Sequence, residues 1–171
     1  MTNYSDAKYG MIPSSGGITQ VDMWGLLNDV TTSTSQNTIT SGFTRFGLPE
    51  ISGIGTGMTE SSGVFSFPQT GLYQIKFHAV MKSNSADQRY IALKIMSDAD
   101  GDGSFTAAAQ SFSSIPNLGF TFGTVQATTL IDVTNTTNQT VSFIAYSANS
   151  AILDSASTYP STFFQFIRLG S

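Results

Sequence analysis

The sequence predicts an all-β protein, a sandwich or barrel of short strands, and two observations carry this prediction. Thr, Val, Ile, Phe and Tyr alternate with polar residues along most of the chain, which is typical of strands that bury one face. Gly, Asn, Ser and Pro interrupt these segments and indicate turns. Ten strands are predicted, at about 30–34, 37–40, 43–47, 64–68, 72–82, 88–97, 104–113, 121–133, 140–149 and 161–169.

The composition fits one domain and excludes several classes of partner. A chain of 171 residues with 13 Phe and 6 Tyr can bury a core of its own. Only 11% of the residues are charged, and 24 Ser and 22 Thr supply most of the polar side chains instead. The net charge is −4 with seven Lys and Arg, which excludes electrostatic binding to nucleic acid or to an anionic membrane. Because cysteine is absent, disulfides and thiolate metal sites are excluded as well.

The first 29 residues are interpreted as an N-terminal arm ahead of the β domain, which spans 30–171. Most of the arm is irregular in pattern, but one segment has apolar residues at three-residue spacing, which is compatible with a short helix over 18–28. These apolar residues are Ile18, Val21, Trp24 and Leu27.

The last two predicted strands carry large apolar groups on both faces. In the first of these strands Ile144 and Tyr146 are on one face and Phe143 is on the other. In the final strand Phe163 and Phe164 are on opposite faces. A two-layer sandwich buries only one face of each sheet, so the second face needs another cover. Either a second subunit provides it, or the arm folds back over this face within one chain.

Three segments resemble the jelly rolls of the tumour-necrosis-factor-like and complement-head-like superfamily. The stretch Gly63-Val64-Phe65-Ser66-Phe67-Pro68-Gln69-Thr70-Gly71-Leu72-Tyr73 is similar to the superfamily's F-x-x-P-x-x-G-x-Y signature. The end, Ser161-Thr162-Phe163-Phe164-Gln165-Phe166, resembles the closing strand, and Thr128 to Val141 resembles the penultimate pair.

The resemblance covers residues 30–170 and implies a jelly-roll β-sandwich of about ten strands that forms a homotrimer. By this analogy one set of side chains faces neighbouring subunits. The set consists of Gln74, Lys76, His78, Ile144, Tyr146, Phe163, Gln165 and Ile167. Gln165 stands where the family commonly has glycine.

One loop has the residue types of a calcium site. Asp98, Asp100 and Asp102 alternate and are followed by Gly103, as at the start of an EF-hand loop, in which carboxylates supply hard oxygen ligands. The twelfth position is Ala109 instead of the usual glutamate, so the expected affinity is weak. The alternative is a hairpin turn, because Asp-Gly pairs are typical of short turns.

No arrangement of residues points to catalysis, and the chain is predicted not to be an enzyme. His78 is the only histidine, and nothing in the sequence selects one serine or threonine as its nucleophile. No pair of carboxylates has a spacing that suggests general acid–base work.

The function predicted from these features is structural. Low charge with abundant Ser and Thr is common in phage structural proteins, so we expect a trimeric capsid decoration (cement) protein on the capsid surface of a tailed-phage virion. Its arm would dock on the major capsid protein or another virion protein, because an irregular apolar segment orders only against a partner. The docking residues are predicted to be Tyr4, Trp24, Leu26 and Leu27. The alternative is a receptor- or glycan-binding trimeric head of a phage fibre or of a secreted recognition protein.

Overall fold

The protein is a sandwich of two antiparallel β-sheets. The computed structural model describes residues 18–45, 53–84, 86–116, 121–155 and 159–170, which contain twelve strands. Among these residues no helix is long and apolar enough to cross a membrane. Because every regular element of the described residues is a β-strand, the all-β prediction is confirmed.

Sheet A has seven strands, six of them in the order β2-β11-β6-β12-β1-β3, with β9 paired to β6. The long strand β6 is the centre of the sheet, because it pairs along its length with β9 and on its other side with β12 and β11. The strands of sheet A are β1 (Gln20–Leu26), β2 (Val30–Thr32), β3 (Phe43–Arg45), β6 (Gly71–Ser83), β9 (Phe122–Val133), β11 (Ala151–Leu153) and β12 (Phe163–Gly170).

Sheet B has five strands in the order β4-β5-β10-β7-β8. Its three long strands, β10, β7 and β8, lie side by side and form most of its surface. The strands of sheet B are β4 (Thr59–Ser61), β5 (Val64–Ser66), β7 (Gln88–Asp98), β8 (Thr106–Ile115) and β10 (Thr140–Ser147).

The core between the sheets is dominated by phenylalanine. Phe164 of β12 stacks on Phe77 of β6 with ring centroids 4.5 Å apart and contacts Phe143 of sheet B at 4.7 Å. Each fully buried ring contributes roughly 1.5–3 kcal/mol through removal of apolar surface from water. The fully buried phenylalanines are Phe65, Phe77, Phe143, Phe164 and Phe166.

The signature segment is explained by the fold. Phe65 and Tyr73 are fully buried, and the Tyr73 hydroxyl donates a hydrogen bond to the carbonyl of Gln69 at 3.0 Å, which closes the turn between β5 and β6. Gly71 has a φ of 132°, and a Cβ there would overlap the carbonyl oxygen of Gly170. The motif therefore fixes the join between the two sheets.

The prediction of a helix over 18–28 is wrong, because Gln20–Leu26 forms strand β1. The side chains alternate: Gln20, Asp22, Trp24 and Leu26 are buried, and Trp24 and Leu26 belong to the core, so neither can dock on a capsid. Since β1 lies between β12 and β3, the jelly roll begins before residue 30. Leu27 is 61% exposed, and Tyr4 lies outside the described residues.

The other strand predictions hold within a few residues, with three differences. The segment 37–40 forms only an isolated bridge between Thr38 and Ile144. The short strands β4 and β11 were not predicted. All three differences concern segments of three or four residues, which are too short to show a period.

Candidate functional site

The structure divides the eight predicted interface residues between two opposite faces of the sandwich. Ile144 and Tyr146 lie on β10, on the outer face of sheet B. The other six lie on β6 and β12 of sheet A, with their side chains directed away from the core. These six are Gln74, Lys76, His78, Phe163, Gln165 and Ile167. A single contact surface therefore cannot contain all eight residues.

The six residues on sheet A form regular cross-strand rows. The register pairs Phe163 with His78, Gln165 with Lys76 and Ile167 with Gln74. Because side chains alternate along a strand, these pairs all point to the outer face while their neighbours fill the core.

Neighbouring strands extend these rows into a broad face. Leu130 of β9 pairs with Gln74, and Val21 of β1 pairs with Ile167, so one row crosses four strands. Leu130 is 57% exposed and Phe122, at the other end of the face, is 56% exposed. This face therefore places exposed and half-buried apolar side chains among polar ones, a mixture that suits a surface covered by another protein.

His78 is the titratable group at the centre of this face. Its ring stacks on Phe163 with centroids 4.9 Å apart. Partial burial lowers the pKa of His78; a hydrogen bond with the Gln126 side chain opposes this shift, and the positive charge of Lys76 adds to it. The structure thus favours a neutral imidazole in the folded chain.

Ile144 and Tyr146 on the opposite face are covered by their own chain. They form a small cluster with Ala92, and Tyr90 and Met96 pack against it. Tyr146 is only 5% exposed. The two-sided apolar pattern of β10 is therefore explained by contacts with β7, without a second subunit or a folded-back arm.

The same outer face of sheet B carries an aromatic cluster that the sequence did not reveal, formed by Tyr90, Phe112 and Tyr146. The three ring centroids are 5.8–6.3 Å apart and the rings meet edge to face. Gln110 Nε2 donates a hydrogen bond to the Tyr146 hydroxyl. Lys94 Nζ lies 5.7 Å from the centre of the Tyr146 ring.

The aspartate loop connects β7 to β8, and its carboxylates cap the turn. Asp98 accepts hydrogen bonds from the backbone N–H groups of Gly101 at 2.8 Å and Gly103 at 3.0 Å. Desolvation raises the pKa of Asp98, but these hydrogen bonds outweigh it and the net pKa is lowered. One oxygen from each of Asp98, Asp100 and Asp102 lies within 4.8 Å of the others, so the geometry is compatible with both the turn and the calcium interpretation. Calcium binding stays a prediction.

An ion pair between the buried carboxylate of Asp22 and the half-exposed guanidinium of Arg45 is the second feature that the sequence did not reveal. The Asp22 carboxylate accepts hydrogen bonds from Arg45 Nε at 2.8 Å, from Arg45 Nη2 at 2.9 Å, from Trp24 Nε1 at 2.8 Å and from the Met58 N–H at 2.6 Å. Burial raises the pKa of Asp22, but these partners outweigh it and lower the pKa overall. Through these bonds Asp22 links β1 to β3, which carries Arg45, and to Met58 directly before β4, so the role of the site is structural.

Comparison with solved structures identifies the fold. Eiger TNF from S. frugiperda superposes on the chain with a TM-score of 0.66 at 10% identity, over 91% of this chain and 95% of that one. Murine APRIL at pH 5.0 gives a TM-score of 0.63 at 12% identity, over 88% of this chain and 98% of that one. No protein-family model and no curated protein matches the sequence.

The chain is therefore a TNF-like jelly roll, as the signature segment predicted. At 10–12% identity the likeness establishes the fold alone.

Proposed function

We propose that the chain is a non-catalytic homotrimeric head domain that assembles through the outer face of sheet A. The observation that carries this proposal is the set of cross-strand rows described above, in which exposed Leu130 and half-buried Phe163 and Ile167 flank polar side chains. Leaving this apolar surface in water costs roughly 25 cal/mol per Å², and packing around a threefold axis against the two other subunits removes that cost. The TNF-like fold supports the trimer, since the family resemblance implies it.

His78, the only histidine of the sequence, has no catalytic arrangement around it among the residues that the structure describes. His78 stacks on Phe163 and bonds with Gln126, so the described contacts of its ring serve packing. This supports a role in assembly instead of chemistry.

The finer role that we propose is that of a virion structural protein, a capsid decoration protein that binds the major capsid protein at the capsid surface of a tailed phage. Its support is compositional: few charges and many hydroxyl side chains. Burial of Trp24 and Leu26 in the core removes them from the docking set. Leu27, 61% exposed immediately after β1, is the remaining described residue of that set.

A recognition head is the second candidate, and the aromatic cluster on sheet B favours it. This cluster lies on the face opposite the proposed subunit interface, so trimer formation leaves it accessible. Within this cluster Phe112 is 59% exposed, so its ring is available for a ligand, and its contacts with Tyr90 and Tyr146 distinguish it from an isolated surface residue.

The test of these proposals combines mass with capsid binding. Analytical ultracentrifugation of the purified chain is expected to give a trimer, and a monomer at micromolar concentration would refute the assembly. The trimer is then pelleted with undecorated phage capsids. Co-pelleting in a fixed ratio, lost in Leu27→Asp and kept in Tyr159→Ser, supports decoration, whereas a trimer that stays in the supernatant refutes it and leaves the recognition head.

A further inference from the structure

The outer face of sheet B combines an aromatic cluster, in which the Phe112 ring is 59% exposed, with one nearby positive charge. β8 and β10 contain no charged residue, and on β7 the carboxylate of Asp98 caps the loop at the far end. Lys94 of β7 is the charged side chain that lies against the cluster, 5.7 Å from the centre of the Tyr146 ring.

We propose that this face is a binding site for an acidic saccharide, a sugar that carries a carboxylate. In this site the exposed ring of Phe112 contacts the apolar C–H face of the sugar, Tyr90 supports that ring at a right angle, and the ammonium group of Lys94 pairs with the carboxylate of the sugar. The proposal rests on the recognition role given above and adds the location of the site and the class of its ligand.

The rings are held in place before any ligand arrives. Tyr90 and Phe112 meet at 87° with centroids 6.3 Å apart, and Phe112 and Tyr146 meet at 83° and 6.2 Å. Tyr146 is in turn fixed by its hydrogen bond from Gln110. Aromatic side chains in such a packed group lose little conformational entropy on binding, so they form a preorganised platform.

The ammonium group of Lys94 lies beside the aromatic cluster and can still bind a ligand carboxylate. Lys94 Nζ donates one hydrogen bond to Gln36 Oε1 at 2.6 Å and lies over the Tyr146 ring. An ammonium group has three donors, so the bond to Gln36 orients Lys94 and leaves capacity for a carboxylate. Charge complementarity therefore favours an acidic sugar over a neutral one.

The experiment measures binding of a galacturonate trisaccharide to the full chain by calorimetry. Its methyl ester, in which the carboxylates are neutral, and triglutamate, which carries the negative charge without sugar rings, serve as matched ligands. We expect the trisaccharide to bind, its ester to bind at least about fivefold more weakly, and triglutamate to bind no better than the ester.

Three variants locate the site. Phe112→Ser is expected to weaken binding about tenfold, which corresponds to the loss of one aromatic contact. Lys94→Met keeps most of the side-chain stem and is expected to abolish the preference for the acid over the ester. Tyr159→Ser removes an exposed aromatic ring outside the cluster and is expected to leave binding unchanged.

The proposal is overturned if the trisaccharide shows no measurable binding, or if Phe112→Ser, Lys94→Met and the parent chain bind it equally. Triglutamate that binds as tightly as the sugar would also overturn it, in favour of an acidic peptide. Sedimentation of the same samples separates this proposal from the assembly. A monomer that binds the sugar refutes only the trimer, and a trimer that does not bind it refutes only the saccharide site.

Discussion

Leu130 and Phe112 are almost equally exposed, at 57% and 59%, but lie on opposite faces of the sandwich. Leu130 belongs to β9 and the rows of sheet A, whereas Phe112 belongs to β8 and the aromatic cluster of sheet B. In a single chain the two side chains are equivalent surface residues. In the proposed trimer only Leu130 becomes buried.

This equivalence gives a matched pair of variants for the assembly. Leu130→Asp is expected to sediment as a monomer, because a buried carboxylate in the subunit interface would lack a partner at a cost of several kcal/mol. Phe112→Asp is expected to stay a trimer. Analytical ultracentrifugation of both variants checks the prediction, and a trimeric Leu130→Asp would remove sheet A from the interface.

Asp22→Asn is expected to lower the free energy of unfolding by about 3 kcal/mol, because the substitution removes the charge to which Arg45, Trp24 and Met58 donate. The control is Asp29→Asn, which breaks an exposed pair with Lys82 and should cost less than about 1 kcal/mol. Urea unfolding measures both. Equal losses in the two variants would contradict the structural role of the buried Asp22 carboxylate.

Stability is expected to fall as the pH is lowered through the titration of His78. The folded-state pKa of His78 lies below its ordinary value of 6.5, so the folded chain prefers the neutral ring. By linkage, this contribution is fully present above pH 6.5 and is lost as the pH falls through the lowered pKa. In a trimer the effect is threefold, because each subunit carries one His78.

The measurement is the midpoint of urea unfolding, and the trimer dissociation constant, between pH 7.5 and pH 5. His78→Gln keeps a hydrogen-bonding side chain and is expected to remove the dependence within this window. If the parent chain and His78→Gln lose stability equally as the pH is lowered, titration of groups other than His78 causes the pH dependence.

Calcium at 10 mM is expected to raise the midpoint of thermal unfolding by roughly 3–5 °C, as a site of about millimolar affinity would. The double variant Asp100→Asn, Asp102→Asn keeps the Asp98 cap of the turn and should not respond. Magnesium at the same concentration is the control for ionic strength. A midpoint that calcium does not move would leave the loop as a hairpin turn.

The sequence predicted the long strands well because their side chains alternate without interruption. Along β6, Tyr73, Ile75 and Phe77 face the core and Gln74 and Lys76 face outward, as the pattern indicates. The motif from Phe65 to Tyr73 added the fold family, which alternation alone does not distinguish.

β1 was missed because its inward positions include polar residues. Gln20 and Asp22 are buried at alternate positions, and Asp22 is neutralised by Arg45, a residue 23 positions away. Only the folded chain brings the two together, so the three-residue spacing of the apolar residues in this segment favoured a helix instead.

The candidate surfaces were predicted only in part for a related reason. Alternation assigns a side chain to one face of its strand, but it does not say in which sheet that strand lies. The family resemblance placed Tyr146 and Phe163 in one predicted set, and alternation could not correct this although the two residues lie on opposite sides of the molecule. The aromatic cluster depends on the pairing of β7 with β8 and β10, which spacing within one strand does not reveal.

The position of β12 also sets the order in which the chain can fold. β12 (Phe163–Gly170) is the last described strand, yet it lies between β6 and β1, whose residues are made roughly 90 and 140 positions earlier. Until β12 has been synthesised, the edges of β1 and β6 that pair with it have unpaired backbone groups. Such edges make the nascent chain prone to wrong strand pairing. Sheet A can close only when β12 has left the ribosome, so this domain cannot fold completely before its last strand has been made.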